Sequence, residues 1–149
     1  MVVLTGSNLH SESWNVFHAI ISGNITDPSA RAKRWVLGDF PDIEGKDFPN
    51  YPIIVISNPE VASETITFDP GSALQKNTMS VTVTVFSKDP RTLNQLSDSV
   101  YSAVNDNHLT LIGSNIYIDT SSNGGRGTDV IGTTRVHFNE QIFNYMVTS

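Results

Sequence analysis

Four histidines, His10, His18, His108 and His137, are the first residues whose types suggest chemistry. No two of them lie three to five residues apart and no HExxH occurs, so the spacing that lets one helical turn offer two imidazoles to zinc is missing. Serine is plentiful, but GxSxG is absent and the scattered Ser, His and Asp define no triad. The segment Gly127 to Thr134 has the glycine spacing of a phosphate loop. Thr133, however, stands where a lysine must meet the phosphates, and Asp129 sits where anions would lie; a loop entering a strand is the simpler reading. The chain has no cysteine, which removes thiolate nucleophiles, disulfides and zinc-thiolate sites together. The expectation is a protein without catalytic residues, metal or cofactor. A small enzyme with a dispersed site stays open as an alternative, and it requires a concave pocket with convergent polar groups and perturbed pKa values.

Two charge clusters stand close together. Asp39, Asp42, Glu44 and Asp47 lack the alternating D-x-D-x-D-G that wraps one calcium ion, and read as a solvated loop. Just before them Arg31, Lys33 and Arg34 flank Trp35, and with Phe40 and Tyr51 as stacking platforms they suggest a single-strand nucleic-acid patch. A formal charge of −6 argues against that, because such affinity rests on neutralising phosphates. Adjacent clusters of opposite sign fit a protein contact better: complementary edges of neighbouring subunits fix their orientation through such charges. Lys76 and Arg126, each in a polar stretch read as a loop, join this candidate interface.

The elements that must position these residues follow from periodicity. At 149 residues the length fits a single domain, spanning 1–149. Met79, Val81, Val83 and Val85 alternate with Ser80, Thr82 and Thr84, the pattern of a strand with one apolar and one hydroxyl face. After Lys88 the period changes, and Leu93, Leu96, Val100, Tyr101 and Val104 form one helical stripe that Asp89 can cap and Pro90 can open. An earlier helix spans Ser7 to Gly23, with Leu9, Trp14 or Ser13, Phe17, Ile20 and Ile21 as its stripe, Asn8 or Ser11 as its cap and Gly23 as its end. Residues 24–50 read mostly as a long loop, with a short strand possible at Lys33 to Leu37, and a loop of that length is a candidate contact region.

Ile53 to Ile56, four apolar residues in a row, imply a strand covered on both faces. Thr65 to Phe68 alternate, and a polar loop from Asp69 to Asn77 leads into the Met79 strand. Beyond the second helix Asn107 suits a left-handed cap, Asn115 to Ile118 a short strand, and Ser121 to Thr133 a mobile loop built on Gly124, Gly125 and Gly127. Thr133 to Val147 is a long strand whose apolar parity changes between Phe138 and Phe143, which suggests a bulge or bend near Glu140. The fold class is α+β, a single, mainly antiparallel sheet with two helices packed on it. The first residues show neither a basic leader nor an apolar run of membrane length.

Taken in order, a leading helix, FPNYPIIVI, a polar hairpin into MSVTVTVFSKD, the helix LNQLSDSVYSAV, a Gly-rich loop and a closing RVHFNEQIFNYMV strand resemble the tail-terminator and tail-completion (tail-to-head joining) proteins of long-tailed bacteriophages. The resemblance runs from about Leu9 onward and rests on the order of elements and on the phrases "Pro then apolar strand" and V-x-V-F-S-K. It implies a virion protein that forms a six-fold ring on the last ring of the tail tube, stops tube polymerisation and offers a docking face to the head connector. Its implied partners are further copies of itself, the tail-tube protein and the connector, with no membrane, no direct nucleic-acid contact and no catalytic residue to carry over. Its place would be the virion neck, and the host cytoplasm during assembly. Another neck or head-completion protein is the neighbouring alternative.

Overall fold

The computed structural model describes residues 4, 9–30, 35–40, 51–66, 75–131 and 133–148, with 62–66, 75, 76 and 148 placed by backbone alone. Its elements in chain order are α1 (Leu9–Asn24), β1 (Val36–Leu37), β2 (Ile53–Ile56), β3 (Glu60–Ile66), β4 (Gln75–Ser87), α2 (Pro90–Asp106), α3 (His108–Gly113), β5 (Ile116–Ile131) and β6 (Thr134–Thr148). They form an α+β fold in which the strands make one sheet of order β1-β2-β4-β6-β5, with β3 also paired to β4. All pairings are antiparallel except β1 with β2. No helix among the described residues is long and apolar enough to cross a membrane.

β4 is the spine of this sheet. Along one side it pairs with β6 without interruption from Lys76↔Thr148 to Ser87↔His137. Along the other it meets β3 over its first half and β2 over its second. Ser57 bridges the two partners: its amide donates to the Thr82 carbonyl at 2.9 Å, and its Oγ accepts from the Thr82 amide at 3.0 Å. The alternation of β4 does what its chemistry dictates. Met79, Val81, Val83 and Val85 are at most 1% exposed, while Ser80, Thr82 and Thr84 lie half-buried on the opposite face.

Both long helices cover the apolar face. α2 packs on β4 and β6, and α1 packs against α2, β1 and β2. α2 starts where its sequence says it should: the Asp89 carboxylate accepts from the Arg91 amide at 3.2 Å and from the Thr92 hydroxyl at 3.1 Å, with Pro90 at the first helical position. Those bonds, the Arg91 amide foremost, hold the Asp89 carboxyl below its ordinary pKa. Leu93, Leu96, Val100 and Val104 are buried, each contributing roughly 1.5–3 kcal/mol by leaving water. Tyr101, expected in the same stripe, is instead 49% exposed. In α1 the choice between Ser13 and Trp14 falls to Ser13, which is fully buried. Trp14 lies half-buried at the helix flank, where it stacks on His18 with ring centroids 4.8 Å apart and its indole N–H donates to the Ile56 carbonyl at 3.0 Å. The helix continues past Gly23 to Asn24, and Ser11 lies inside it, not at its cap.

Several expectations are corrected by the sheet. The stretch read as a short strand followed by a mobile loop, Asn115 to Thr133, holds a single strand, β5, running to Ile131. Its glycines answer to crowding. A Cβ on Gly124 would lie 2.9 Å from Ile142 Cδ1, and one on Gly127 would lie 3.1 Å from Phe138 Cζ, so the absent side chains make room for cross-strand neighbours. The bulge or bend expected near Glu140 lies across from it: β6 stays in register with β4, and its other partner β5 shifts register between Asn123 and Gly125, opposite Gln141 and Glu140, and again between Ile118 and Thr120. The parity change has a different cause. Phe143, Tyr145 and Val147 face the helices, whereas Phe138 joins Phe86 and Phe40 in a small aromatic cluster, with centroids 6.3 Å and 5.0 Å apart.

Of the Asp69 to Asn77 loop, Gln75 to Asn77 belong to β4 and 69–74 lie outside the described residues. The strand read at Thr65 to Phe68 begins earlier, at Glu60, and Thr67 and Phe68 lie outside. Asn107 is not left-handed (φ −105°); it links α2 to the unexpected α3, and the left-handed residue is Asn115 (φ 65°) just beyond that helix.

Candidate functional site

Because α2 lies across β4 and β6, it leaves the helix-facing side of β5 uncovered beyond Ile118, while Ile116 and Ile118 pack into the core and α3 meets the start of the strand. The result is a groove of about 770 Å³ between α2 and the β5–β6 hairpin, within the range of ligand-binding clefts. Asn94, Asp98, Tyr101 and Ser102 form its helical wall, Ser121, Asn123 and Arg126 its β5 side, and Asn139 and Gln141 its floor. The floor residues follow from strand parity. Positions 139, 141, 143, 145 and 147 share one face of β6; the last three carry the core, and the first two carry side-chain amides under α2.

Ser97 holds both amides in one orientation. Its hydroxyl donates to the Leu93 carbonyl at 2.8 Å and so accepts from Asn139 Nδ2 at 3.0 Å. Its carbonyl accepts from Gln141 Nε2 at 2.7 Å. With both NH₂ groups committed to acceptors, the amide oxygens Asn139 Oδ1 and Gln141 Oε1 point elsewhere, and they have no partner among the described residues. Across the groove the Arg126 guanidinium donates to Asn94 Oδ1 and closes the hairpin onto α2. The lining thus carries one carboxylate, Asp98, one guanidinium, Arg126, and otherwise uncharged polar side chains beside Tyr101.

The groups with displaced pKa values lie away from this groove. Burial pushes the Tyr145 phenol up to about 12, while the nearby Ser13 hydroxyl favours the phenolate slightly. Neither of those two hydroxyls reaches hydrogen-bonding geometry, so both are unpartnered among the described residues. Burial also raises the Tyr51 phenol, which lies 5.9 Å from the Lys88 ammonium across its ring.

Of the charge clusters singled out from the sequence, only Asp39 falls among the described residues. Arg31, Lys33, Arg34, Asp42, Glu44 and Asp47 lie outside the described residues. Asp39 is exposed and accepts only from the adjoining Phe40 amide, at 2.8 Å, among the described contacts. Lys76 sits in β4 opposite Thr65 and Thr148. Arg126 alone of the set lines the groove, and it does so from a strand, not a loop. Trp35 is buried and Phe40 packs edge-on against Phe86, so two of the three proposed stacking platforms are occupied inside the fold. Among the described residues no group of three His, Cys, Asp or Glu could hold a metal ion. The sequence reading passed over Ser97, Asp98, Asn139 and Gln141; the available signal was that Asn139 and Gln141 continue the apolar parity of Phe143, Tyr145 and Val147 with amides. Comparison of the chain with models of known families and with characterised proteins gives no match.

Proposed function

We infer that this protein is a structural subunit of a long-tailed phage virion, forming a homo-oligomeric ring that ends the tail tube and receives the head connector. The observation that carries this reading is the order of elements: a leading helix, the apolar β2 after Pro52, the spine β4 running directly into α2, and a closing hairpin. That order follows the one the family resemblance implies, except that strand β5 stands where the resemblance has a Gly-rich loop before the closing strand. Two surface features support it. The sheet face opposite the helices presents half-exposed hydroxyl residues such as Thr82 and Thr84, and β5 pairs only with β6 among the described residues, which leaves one long edge free. Arg31, Lys33 and Arg34 on one side of the ring contact, and Asp39, Asp42, Glu44 and Asp47 on the other, set the orientation of neighbouring subunits, with Lys76 and Arg126 contributing. Electron microscopy of particles assembled without the protein tests the proposal. Tails of uncontrolled length, or tails unable to join heads, are expected; normal-length tails firmly attached to heads overturn it.

A further inference from the structure

We propose that copies of this chain join head to tail by strand addition, the free edge of β5 in one copy pairing antiparallel with the free edge of β3 in the next and setting Val130 opposite Val61. The inference names a contact of the proposed ring and rests on that reading. It starts from the ends of the sheet. Among the described residues β5 pairs only with β6 and β3 only with β4, so each offers an outer row of backbone donors and acceptors to a further strand. The third free edge, β1, is 2 residues long and gives a partner little to hold. Unlike edges at opposite ends of one sheet make a contact that repeats from copy to copy and closes into a ring when its rotation allows.

Direction and length suit the join. β3, β4, β6 and β5 alternate in direction, so β5 of one copy meets β3 of the next in the antiparallel sense, with the helices of both copies on the same side. Gly125 to Ile131 is the longest run of β5 without a register shift, and it matches β3, 7 residues, in length. The tip of that run, Asp129 to Ile131, extends past Ser87, the last residue of β4. The next copy's β1 lies on the Ser87 side of β3, so it falls beyond the tip and does not obstruct the pairing.

The side chains agree with this register. Val61 stands opposite Met79, and Val130 lies an even number of residues from Arg126, which lines the groove under α2; both valines therefore belong to the helix-bearing face. Each is exposed at its free edge, Val61 by 39% and Val130 by 65%, and a direct cross-strand pair shelters both. Charge selects this join over its rivals. β3, EVASETI, carries two carboxylates and no cation, whereas the hairpin tip carries the guanidiniums of Arg126 and Arg135 against the carboxylate of Asp129. Two β3 edges together oppose like charge, as do two hairpin tips, while β5 on β3 opposes unlike charge. With the shift in β3 between Val61 and Ser63, Glu64 takes the register position opposite Thr128, diagonal to Arg126.

The chain has no cysteine, so introduced thiols report alone. Val61→Cys and Val130→Cys are made singly and together, and oxidised with copper phenanthroline both as concentrated purified protein and in assembled particles. Within one chain the two edges stand three strand spacings, about 14 Å, apart, too far for an internal disulfide. The double variant should give a ladder of covalent oligomers on a denaturing gel, an equal mixture of the single variants should stop at dimers, and either single variant alone should stay monomeric. Val130→Asp should weaken association about fivefold, the worth of one cross-strand pair, and Val130→Lys less, because the opposing edge is acidic; neither should move the melting temperature. The proposal is overturned if the double variant stays monomeric in both settings, if a single variant dimerises alone, or if Asp is tolerated better than Lys. The ring reading is judged separately: a ring seen in particles without the ladder removes only this contact, and a ladder alongside normal tails assembled without the protein removes only the phage assignment.

Discussion

Gln141 donates to the carbonyl of Ser97 at 2.7 Å, across 44 residues of sequence, and so ties the middle of α2 to the middle of β6. Beside it, Asn139 donates to the Ser97 hydroxyl at 3.0 Å. One serine on the inner face of α2 thus orients both amides on the floor of the groove.

Ser97→Ala should therefore destabilise beyond the loss of one hydroxyl. It strands Asn139 Nδ2 where water does not reach, at a cost of about 1–3 kcal/mol. Chemical denaturation of Ser97→Ala, Asn139→Leu and the double variant measures the coupling. Strict additivity of the two changes would contradict the shared bond.

Leu96, 4% exposed, anchors α2 in the core, and Leu96→Ala should cost about 2–5 kcal/mol by leaving a cavity. Urea unfolding reads this directly. A change under roughly half a kilocalorie would remove α2 from the core.

Two glycines should respond with opposite sign. A Cβ on Gly124 meets Ile142 at 2.9 Å, so Gly124→Ala should destabilise by about 1–3 kcal/mol, and Ile142→Ala in the same chain should recover part of the loss. Nothing lies within 4 Å of a Cβ on Gly23 in α1, and Gly23→Ala should stabilise by roughly 0.5–1 kcal/mol. Thermal melts of the three variants are sufficient; a stabilised Gly124→Ala would show that β5 does not lie where it is described.

Tyr145 predicts an alkaline limit. Its folded pKa, about 12, lies above the ordinary tyrosine value near 10, so the folded state keeps a proton that the unfolded chain releases. The stabilisation is fully present below pH 10 and falls as pH rises from about 10 to about 12, by up to roughly 2–3 kcal/mol in all. Tyr145→Phe should flatten that part of the stability profile. Since the phenol has no hydrogen-bond partner among the described residues, the change should cost little at neutral pH. An unchanged slope between pH 10 and 12 would assign the alkaline loss to other groups.

What the sequence determined by itself was local. The alternation of Met79 to Val85, the capped α2 after Asp89 and the apolar run of β2 were all readable, because each is set by side-chain period and by the needs of a helix end. The hairpin was misread although Gly132 and Thr133 make a two-residue turn signal between strand-like runs. Glycines at 124, 125 and 127 look like freedom in one dimension. Only the sheet shows that Ile142 and Phe138 claim the space two of them vacate. The groove is likewise a tertiary product. Ser97, Asn139 and Gln141 are unremarkable polar residues until α2 is laid across β6, because hydrogen bonds between positions more than forty residues apart leave no periodic trace in the chain.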